Sequence, residues 1–447
     1  MNDVLFARAQ MGMSLAFHII FAAIGIGLPL LMVISEGLYL RTHQAIYQTI
    51  SKRWSRGTAL LFAIGAVSGT VLSFELGLLW PNFMKYAGPI IGMPFSLEGF
   101  AFFTEAIFLG LYLYGWQRLS PIAHWLSGVV VAISGAASGL FVITANSWMN
   151  TPTGFDIING QVTNVDTIAA MRNPAAAHEV IHMLLAAYVA TGFAAAAIHS
   201  YFVLRDRNQL FHRRALAITL TVASISVPLQ LASGDLSAKQ VAHLQPVKFA
   251  ALEALYHTIE GAPLHIGGIP DDSTLTNQFA IELPKALSFL AFDDFNAKVL
   301  GLEAFPRDLW PNTRIVHWSF DIMVGSGIVM FIVALWAGVL WLRRRKLPEN
   351  RWFLRAVVAC GPLGFIAIET GWTVTEVGRQ PWIVYGIMKT VDAVTPLTGL
   401  VVPFVTFTLL YIFLTIILII SLRRLFLATA QPAADGQVDT RTEINHG

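Results

Sequence analysis

Residues 178 to 182, His-Glu-Val-Ile-His, match H-E-x-x-H, the spacing that zinc proteases place on a helix. Two imidazoles four residues apart share one helix face and can bind one metal ion, while the glutamate between them activates water. A zinc site needs another protein ligand from elsewhere in the chain, and Asp321 is the only aspartate in any long apolar segment, with no motif around it. An intramembrane zinc metalloprotease is therefore one alternative, and the surroundings of the motif have to decide it.

A second set of chemically capable side chains lies inside long apolar segments, where an ionisable group is costly and is a functional candidate by default. The set holds imidazoles, carboxylates and one thioether: His18, Glu75, Glu98, Glu105, Glu179, His182, Asp321, Met323, Glu369 and Glu376. Imidazole with thioether is a ligand pair of low-spin haem, and a lone imidazole or carboxylate can hold a haem with an open face for oxygen. The set favours a haem protein, although Glu98 with Glu105 would also suit a proton-coupled transporter, and a single Met or His can equally be packing.

The elements that must position these residues are transmembrane helices. Of 447 residues, 55% are hydrophobic and 13% are charged, whereas soluble domains carry about 25% charged residues. Nine apolar runs reach the roughly 20 residues that cross a bilayer: 14–40, 57–80, 97–116, 122–148, 179–204, 215–233, 315–342, 354–377 and 397–422. The sequence therefore predicts an all-α membrane protein with nine transmembrane helices.

Basic residues beside the nine segments predict their orientation. Seventeen Lys and Arg residues border the segments on one side, whereas the short segments on the other side hold five. Short loops rich in Lys and Arg stay in the cytoplasm, so we expect the N-terminus outside and the C-terminus in the cytoplasm. With this orientation, every ionisable residue of the set except Glu369 lies in the outer half of the membrane. Because the basic residues border the membrane rather than a soluble face, a nucleic-acid partner is excluded.

Four regions follow from this topology. Residues 1–233 hold transmembrane helices one to six, and residues 314–425 hold helices seven to nine. Residues 234–313 form a long external loop, in which 245–253 has a helical pattern and predicts local order. Residues 426–447 are predicted to be a disordered cytoplasmic tail.

Two other classes of redox centre are set aside. The single Cys360 excludes disulfides, iron–sulfur clusters and a two-cysteine copper centre. A haem–copper oxidase uses adjacent histidines at copper, and no two of the twelve histidines are neighbours.

One segment carries a specific family resemblance. The stretch GWTVTEVGRQPW, residues 371–382, resembles the signature of subunit I of the cytochrome bd-type quinol oxidases. Residues 80–116, 146–155, 234–253 and 318–325 resemble further family segments in the same order, and the likeness runs from about residue 1 to 425. The short external loop resembles the branch called cyanide-insensitive oxidases. One departure is Asp321, which stands where some members have Arg, and His178 matches no ligand position of the family.

The resemblance implies a role for each of several residues. His182 and Met323 would be the axial ligands of a low-spin haem b. His18 and Glu376 would bind the two high-spin haems, one a haem b and the other a haem d or a b-type haem in its place. Residues implied beside these ligands are the proton-carrying Glu98 and Glu105, the quinol-site Lys248 and Glu253, and the haem-flanking Trp372 and Arg379.

The same resemblance implies a function and partners. The chain would be subunit I of a terminal quinol:oxygen oxidoreductase in the bacterial cytoplasmic (inner) membrane. It would oxidise membrane quinol beside the external loop and reduce O2 to water with cytoplasmic protons, which builds proton motive force without a pump. The expected partners are a second membrane subunit of similar size, a small single-span subunit, membrane quinone and O2.

Overall fold

The computed structural model describes residues 2–345 and 350–430. Within these residues, nine helical stretches are long and apolar enough to cross a membrane, which confirms the nine predicted spans. Lys346, one of the basic residues used for the orientation, and the predicted tail from Gln431 onward lie outside the described residues.

Helices form most of the described chain. They are α1 (Asn2–Thr42), α2 (Ala45–Leu79), α3 (Pro81–Tyr114), α4 (Pro121–Asn150), α5 (Thr167–Met171), α6 (Ala176–Arg205), α7 (Leu210–Leu244), α8 (Pro246–Leu252), α9 (Ala286–Phe292), α10 (Thr313–Arg344), α11 (Arg351–Cys360), α12 (Leu363–Gly378), α13 (Thr390–Ala393) and α14 (Val401–Ala430). Short polar caps begin several of them: the Ser120 side chain accepts from the backbone N–H of Ala123 at the start of α4, and Asn312 accepts from that of Ile315 at the start of α10. Such caps satisfy backbone donors that have no partner inside the helix.

The strands are short and lie in the connections. They are β1 (Asp156–Ile158), β2 (Gln161–Thr163), β3 (Ile259–Glu260), β4 (Leu264–Ile266), β5 (Ile269–Asp271), β6 (Thr276–Gln278), β7 (Ile281–Leu283), β8 (Lys298–Val299), β9 (Trp382–Val384) and β10 (Met388–Lys389). They pair in antiparallel twos: β1 with β2, β3 with β8, β4 with β7, β5 with β6, and β9 with β10.

Several helices differ from their predicted spans: α1 begins at Asn2 rather than at 14, α2 at Ala45 rather than at 57, and α3 at Pro81 rather than at 97. The sixth span was expected to end at residue 233, but α7 continues to Leu244, and its Lys239 pairs with Asp235 at 3.0 Å and with Asp293 at 2.7 Å. An apolar run in the sequence marks only the part of a helix that lies in the membrane. A polar continuation of the same helix outside the membrane is therefore not predicted. The eighth span is two helices, α11 and α12, divided at Pro362, because proline cannot donate a backbone hydrogen bond inside a helix.

The predicted external loop is ordered and docks on the bundle. After the end of α7 the loop continues with α8, as the helical pattern of residues 245–253 predicts. Side chains of α8, α9 and β8 form one buried apolar cluster with Val316 of α10 and Val374 of α12. This contact places α8 over the ends of α10 and α12, and we call this end of the bundle the loop face.

The transmembrane helices pack mainly as chain neighbours. The pairs α1 with α2, α3 with α4, α6 with α7, and α10 with α12 make the most extensive contacts, while α1 also packs against α4 and α6. Gly135 and Gly139 of α4 face α1: a Cβ at Gly135 would lie 3.1 Å from the backbone oxygen of Gly25. The small residues of α4 therefore serve close packing inside the chain.

Candidate functional site

The two histidines that are candidate haem ligands are oriented in the same way. His18 on α1 directs Nδ1 to the Ser68 hydroxyl at 2.9 Å, and His182 on α6 directs Nδ1 to the Ser233 hydroxyl at 2.9 Å. Each serine donates its own proton to a backbone carbonyl of its helix, so its oxygen accepts the histidine N–H. Each ring therefore presents the lone pair of Nε2, as a metal-binding histidine fixed by a second group does.

Glycines lie directly against two candidate ligands. A Cβ at Gly69 of α2 would lie 3.0 Å from Cε1 of His18, and a Cβ at Gly371 of α12 would lie 3.0 Å from Sδ of Met323. Both distances are tighter than ordinary packing, so a larger residue would push the imidazole or the thioether away. The glycines thus allow His18 to lie close to the backbone of α2 and Met323 to lie close to the backbone of α12.

The Gln230 side chain contacts Nε2 of His182, the nitrogen that the predicted role would give to iron. The Gln230 side-chain amide donates to Nε2 of His182 at 3.0 Å, and its own Oε1 has no hydrogen-bond partner in the described residues. A metal ion at Nε2 would require this amide to turn away, at the cost of one hydrogen bond, and would leave the hydrogen bond between His182 and Ser233 intact.

The fourth candidate ligand, Glu376, ends a chain of hydrogen bonds at the loop face. Its carboxylate accepts from Arg379 NH2 at 2.5 Å and from Asn146 Nδ2 at 2.7 Å. Arg379 is 2% exposed, yet its Nε and NH1 have no partner among the described residues. A buried cation with unmade hydrogen bonds is unstable on its own, and a carboxylate is the group that suits the forked guanidinium.

A cavity of about 240 Å³ opens beside this arginine. Arg379, Trp382 and Tyr385 line one side, and Val247 with Phe305 from the loop line the other. The donor set of two Nε2 imidazoles, a thioether and a carboxylate, together with the unpaired donors of Arg379, fits haem groups that carry propionates.

Lys248 of α8 is buried in a polar network next to these groups. It is 4% exposed, and its Nζ donates to Oδ1 of Asn150 at 3.1 Å. The Asn150 amide in turn donates to Glu179 Oε1 at 3.2 Å, so Asn150 bridges the cation and the carboxylate. A Cβ at Gly378 would lie 2.9 Å from Cγ of Lys248, which is why the G of the GRQPW element has no side chain.

Burial and a neighbouring cation act on Lys248. Removal from water disfavours the ammonium form, and the nearby Arg379 adds repulsion, so the pKa of Lys248 falls to about 7 in spite of Glu179 and Glu376. The network thus holds two buried cations, Lys248 and Arg379, beside the partly exposed carboxylates of Glu179 and Glu376. Its charge changes with small changes in pH or in the charge of a bound group.

Glu253, which follows α8, has very different surroundings. It is 1% exposed, its Oε2 accepts from the backbone N–H of His265 at 3.4 Å, and its Oε1 has no partner in the described residues. Burial raises the pKa of Glu253 to about 8, and the negative charge of Asp321 adds to the shift. Lys248 and Glu253, predicted as a pair, therefore contact different helices: Lys248 faces α4 and α12, and Glu253 faces β4 and α10.

The two predicted proton-carrying acids lie between α3 and α4. Glu98 accepts from the Ser138 hydroxyl at 3.2 Å. Glu105 is 5% exposed, and Oε1 has no partner in the described part of the chain. Both carboxylate oxygens of Glu105 lie 3.4 Å from the position of a Cβ at Gly135. A side chain at that glycine would therefore crowd the acid.

The remaining members of the predicted set lie in separate surroundings. Trp372 packs in an apolar cluster between α1 and α6, beside Ile368. Glu75 accepts from Gln10 and Ser14 at 3.0 and 2.8 Å, and Glu369 Oε1 has no partner among the described residues.

Sequence reasoning missed the amides of the network. Asn146 and Asn150 lie one turn apart at the end of α4, and Gln245 donates to both oxygens of Asn150 at 2.8 and 3.2 Å. Two asparagines four residues apart at the end of an apolar segment are the signal that could have found them, because both fall on one helix face.

The predicted clustering of ionisable groups toward one side is incomplete and needs correction. On the far side of the bundle, buried His124 directs Nδ1 to Glu36 at 2.6 Å and Nε2 to the backbone oxygen of Tyr112 at 2.8 Å. Nδ1 of His199 also lies 2.9 Å from Nδ1 of His212. Glu36, His124 and His199 all fall inside the predicted apolar segments, so the set of ionisable groups extends to the other side of the bundle.

The H-E-x-x-H match gains no support from the structure. Across residues 2–345 and 350–430, no group of three or more His, Cys, Asp or Glu side chains is placed to hold a metal ion. His182 is bound instead to Ser233 and Gln230, and Glu179 to Asn150. The members of the motif thus belong to different hydrogen-bond networks.

Comparison with known proteins gives a consistent match over nearly the whole chain. Residues 6–430 match the family described as cytochrome bd terminal oxidase subunit I. The chain is 38% identical to a Bacillus subtilis (strain 168) protein described as a candidate cytochrome bd menaquinol oxidase subunit I, over 92% of this chain and 94% of that one. It is 34% identical to the cytochrome bd ubiquinol oxidase subunit 1 of the same organism, over 89% and 87%.

A solved structure agrees with the fold. A chain of the bd oxidase from Geobacillus thermodenitrificans superimposes with a TM-score of 0.90 and 40% identity, covering 95% of this chain and 98% of that one.

Proposed function

Because this chain belongs to the cytochrome bd terminal oxidase subunit I family, we propose that it oxidises membrane quinol at the loop face and delivers the electrons to O2. As a family member it is a haem-containing quinol oxidase, a multi-pass protein of the bacterial inner membrane, and the partner of a subunit II. The observation that carries the site assignment is the buried, isolated carboxyl of Glu253 beside the buried Lys248 network.

Glu253 is the base for the quinol hydroxyl. A carboxylate in an apolar place, with one unpaired oxygen, gains a strong hydrogen bond when a hydroxyl arrives and takes its proton readily. The unpaired Oε1 of Glu253 is the atom that accepts this proton. Since its pKa is raised to about 8, the group is a base of moderate strength near neutral pH.

Lys248 and Arg379 would supply positive charge to the quinol headgroup and to a haem propionate. Lys248 is held by Asn150, and Arg379 by Glu376, so neither cation needs to reorganise. Fixed charges in a buried place act more strongly than mobile ones in water. We assign Lys248 to binding the quinol headgroup and the unpaired donors of Arg379 to a haem propionate.

His182 with Met323 would hold a low-spin haem b, and His18 and Glu376 would hold the two high-spin haems, one a haem b and the other a haem d or a b-type haem in its place. These haems supply electron transfer and the reduction of O2 to water. The chain itself supplies ligand orientation through Ser68 and Ser233.

Glu105 and Glu98 would bring protons to the oxygen site. Both lie on the face that α3 turns to α4, and Glu98 is linked to Ser138. An acid without a partner in the described residues, such as Glu105, can accept and release a proton without breaking a strong bond.

The proposed topology makes the reaction electrogenic. Quinol protons would leave at the loop face, which we place outside, with the C-terminus in the cytoplasm. Protons for water would enter from the cytoplasm past Glu105. A small single-span subunit would complete the assembly with subunit II.

The assignment of His182 has a matched control on the same helix. His182→Ala should abolish the reduced low-spin haem spectrum of the purified oxidase, because the axial nitrogen is lost. His178→Ala, one turn earlier in the same H-E-x-x-H stretch, should keep it. A low-spin spectrum that survives in His182→Ala would remove the assignment, and zinc content that falls in both variants would favour the protease alternative.

A further inference from the structure

A histidine of the loop lies against the proposed quinol base. His265 on β4 donates Nδ1–H to the backbone oxygen of Glu253 at 2.7 Å, and its own backbone N–H donates to the Glu253 carboxylate at 3.4 Å. Two contacts thus join β4 to this one residue. From this arrangement we propose that His265, with Glu282, forms the proton exit of the quinol site.

The tautomer of His265 follows from its partner. A backbone carbonyl only accepts hydrogen bonds, so Nδ1 must carry the proton and the neutral ring must leave Nε2 bare. A bare Nε2 can take a second proton, after which the ring is a cation. His265 therefore differs from a structural histidine that uses both nitrogens.

The far side of the ring opens toward water through Glu282. β4 pairs with β7 so that His265 lies directly opposite Glu282. The two side chains are 3.7 Å apart, with 10% of the His265 side chain and 62% of the Glu282 side chain exposed. An exposed carboxylate at this distance stabilises the protonated ring and can pass its proton to solvent.

The proton steps balance without a further reagent. This inference rests on the proposed function, in which Glu253 takes the proton of a quinol hydroxyl while the electrons leave to the enzyme. Because Nε2 of His265 lies on the Glu282 side of the ring, the Glu253 carboxyl passes that proton to Nε2 through a water molecule and becomes a carboxylate again. His265 gives it to Glu282 or to water, and returns to the neutral ring with Nδ1–H.

Charged and titratable groups face this path from two other elements. On α10, Asp321 accepts from the backbone N–H of Gly267 at 2.9 Å and lies 3.5 Å from Nε2 of His317. His317 also directs Nδ1 to the backbone oxygen of Leu252 at 2.6 Å. Oδ2 of Asp321 makes both of these contacts, and Nε2 of His317 also lies 3.2 Å from the Asn277 amide nitrogen, which leaves His265 as the histidine with an open Nε2.

His265→Asn tests the exit because the amide can keep a donor near the position of Nδ1 while no titratable nitrogen remains. We expect kcat for quinol oxidation by the whole oxidase to fall at least about tenfold, with KM and the haem spectrum unchanged. In His265→Gly, added imidazole should restore part of the rate. His257→Asn is the matched control, because His257 also lies 2.8 Å from a carboxylate, Glu303, but in an exposed part of the loop.

The outcomes separate this inference from the proposed function. Loss of rate in His265→Asn with imidazole rescue in His265→Gly supports the exit. A wild-type kcat in His265→Asn at every pH overturns it, as does a rate that falls only in Asp321→Asn, which would place the exit at α10. If the unaltered oxidase does not oxidise quinol, the proposed function itself fails.

Discussion

Two buried charged residues five positions apart, at either end of α8, have opposite surroundings. Lys248 donates to Asn150, which also donates to Glu179. The ion pair of Arg379 with Glu376 lies beside them. Glu253 has one long backbone contact and an unpaired oxygen. The hydrogen bond to Asn150 fixes the position of Lys248, whereas an acid with an unpaired oxygen is ready to change its protonation state. The difference assigns positioning to the first residue and proton transfer to the second.

The largest effect should come from Glu253→Gln. Glutamine keeps the shape and can still accept from His265, but it cannot take a proton. A positioned general base contributes roughly a hundredfold to ten-thousandfold, so we expect kcat for quinol oxidation to fall within that range. Glu303→Gln in the same loop is the control, since that carboxylate is exposed. Steady-state oxygen uptake with a short-chain quinol measures both, and an active Glu253→Gln enzyme would erase the contrast between the two residues.

Lys248→Met should weaken the fold more than the chemistry of proton removal. Taking one partner from a buried charge network costs on the order of 3 kcal/mol, because Glu179 and Glu376 keep their charges. Thermal unfolding of the purified complex should show the loss. The double variant Lys248→Met, Glu179→Gln should recover part of it, since charge balance is regained. Equal loss in single and double variants would mean that the two residues do not interact.

Asn150→Ala should have a smaller effect of the same kind. It removes the amide that links Lys248 to Glu179 and leaves each with an unmade hydrogen bond, at a cost of roughly 1–3 kcal/mol. Thermal unfolding again measures the change. Asn82→Ala, whose amide donates to the backbone oxygen of Asp392 at an exposed position, should be close to neutral. A neutral Asn150→Ala would show that the lysine is held by other groups.

The smallest predicted effect is the dependence of the rate of quinol oxidation on pH. Glu253 works as a base only when ionised, and its raised pKa of about 8 means that the ionised fraction grows as pH rises toward 8. The rate of quinol oxidation should therefore increase about tenfold per unit below that value, until another step limits it. In the residual activity of Glu253→Gln this rise should disappear. A rate that stays flat from acid to neutral pH would assign the proton to another group.

The sequence could predict the spans well but the networks poorly. Nine apolar runs and the charge bias reveal helices because lipid imposes them locally. The position of Lys248 against Gly378, or of Asn150 between two charges, depends on residues far apart in the chain. Such contacts leave no periodic signal in the sequence. The family resemblance implies a role for single residues but not which side chains they contact.

The proton exit illustrates the same limit in the loop. A single histidine such as His265 has no motif around it, and its pairing with Glu282 appears only when β4 and β7 are in register.

The most direct test of the contrast is infrared difference spectroscopy of the carboxyl groups at pH 9, where Glu253 is ionised before quinol is added. Addition of quinol should produce a protonated-carboxyl band in the unaltered oxidase and, at quinol concentrations that saturate the weakened site, in Lys248→Met, and the band should be absent in Glu253→Gln. The same band persisting at full size in Glu253→Gln would contradict the account.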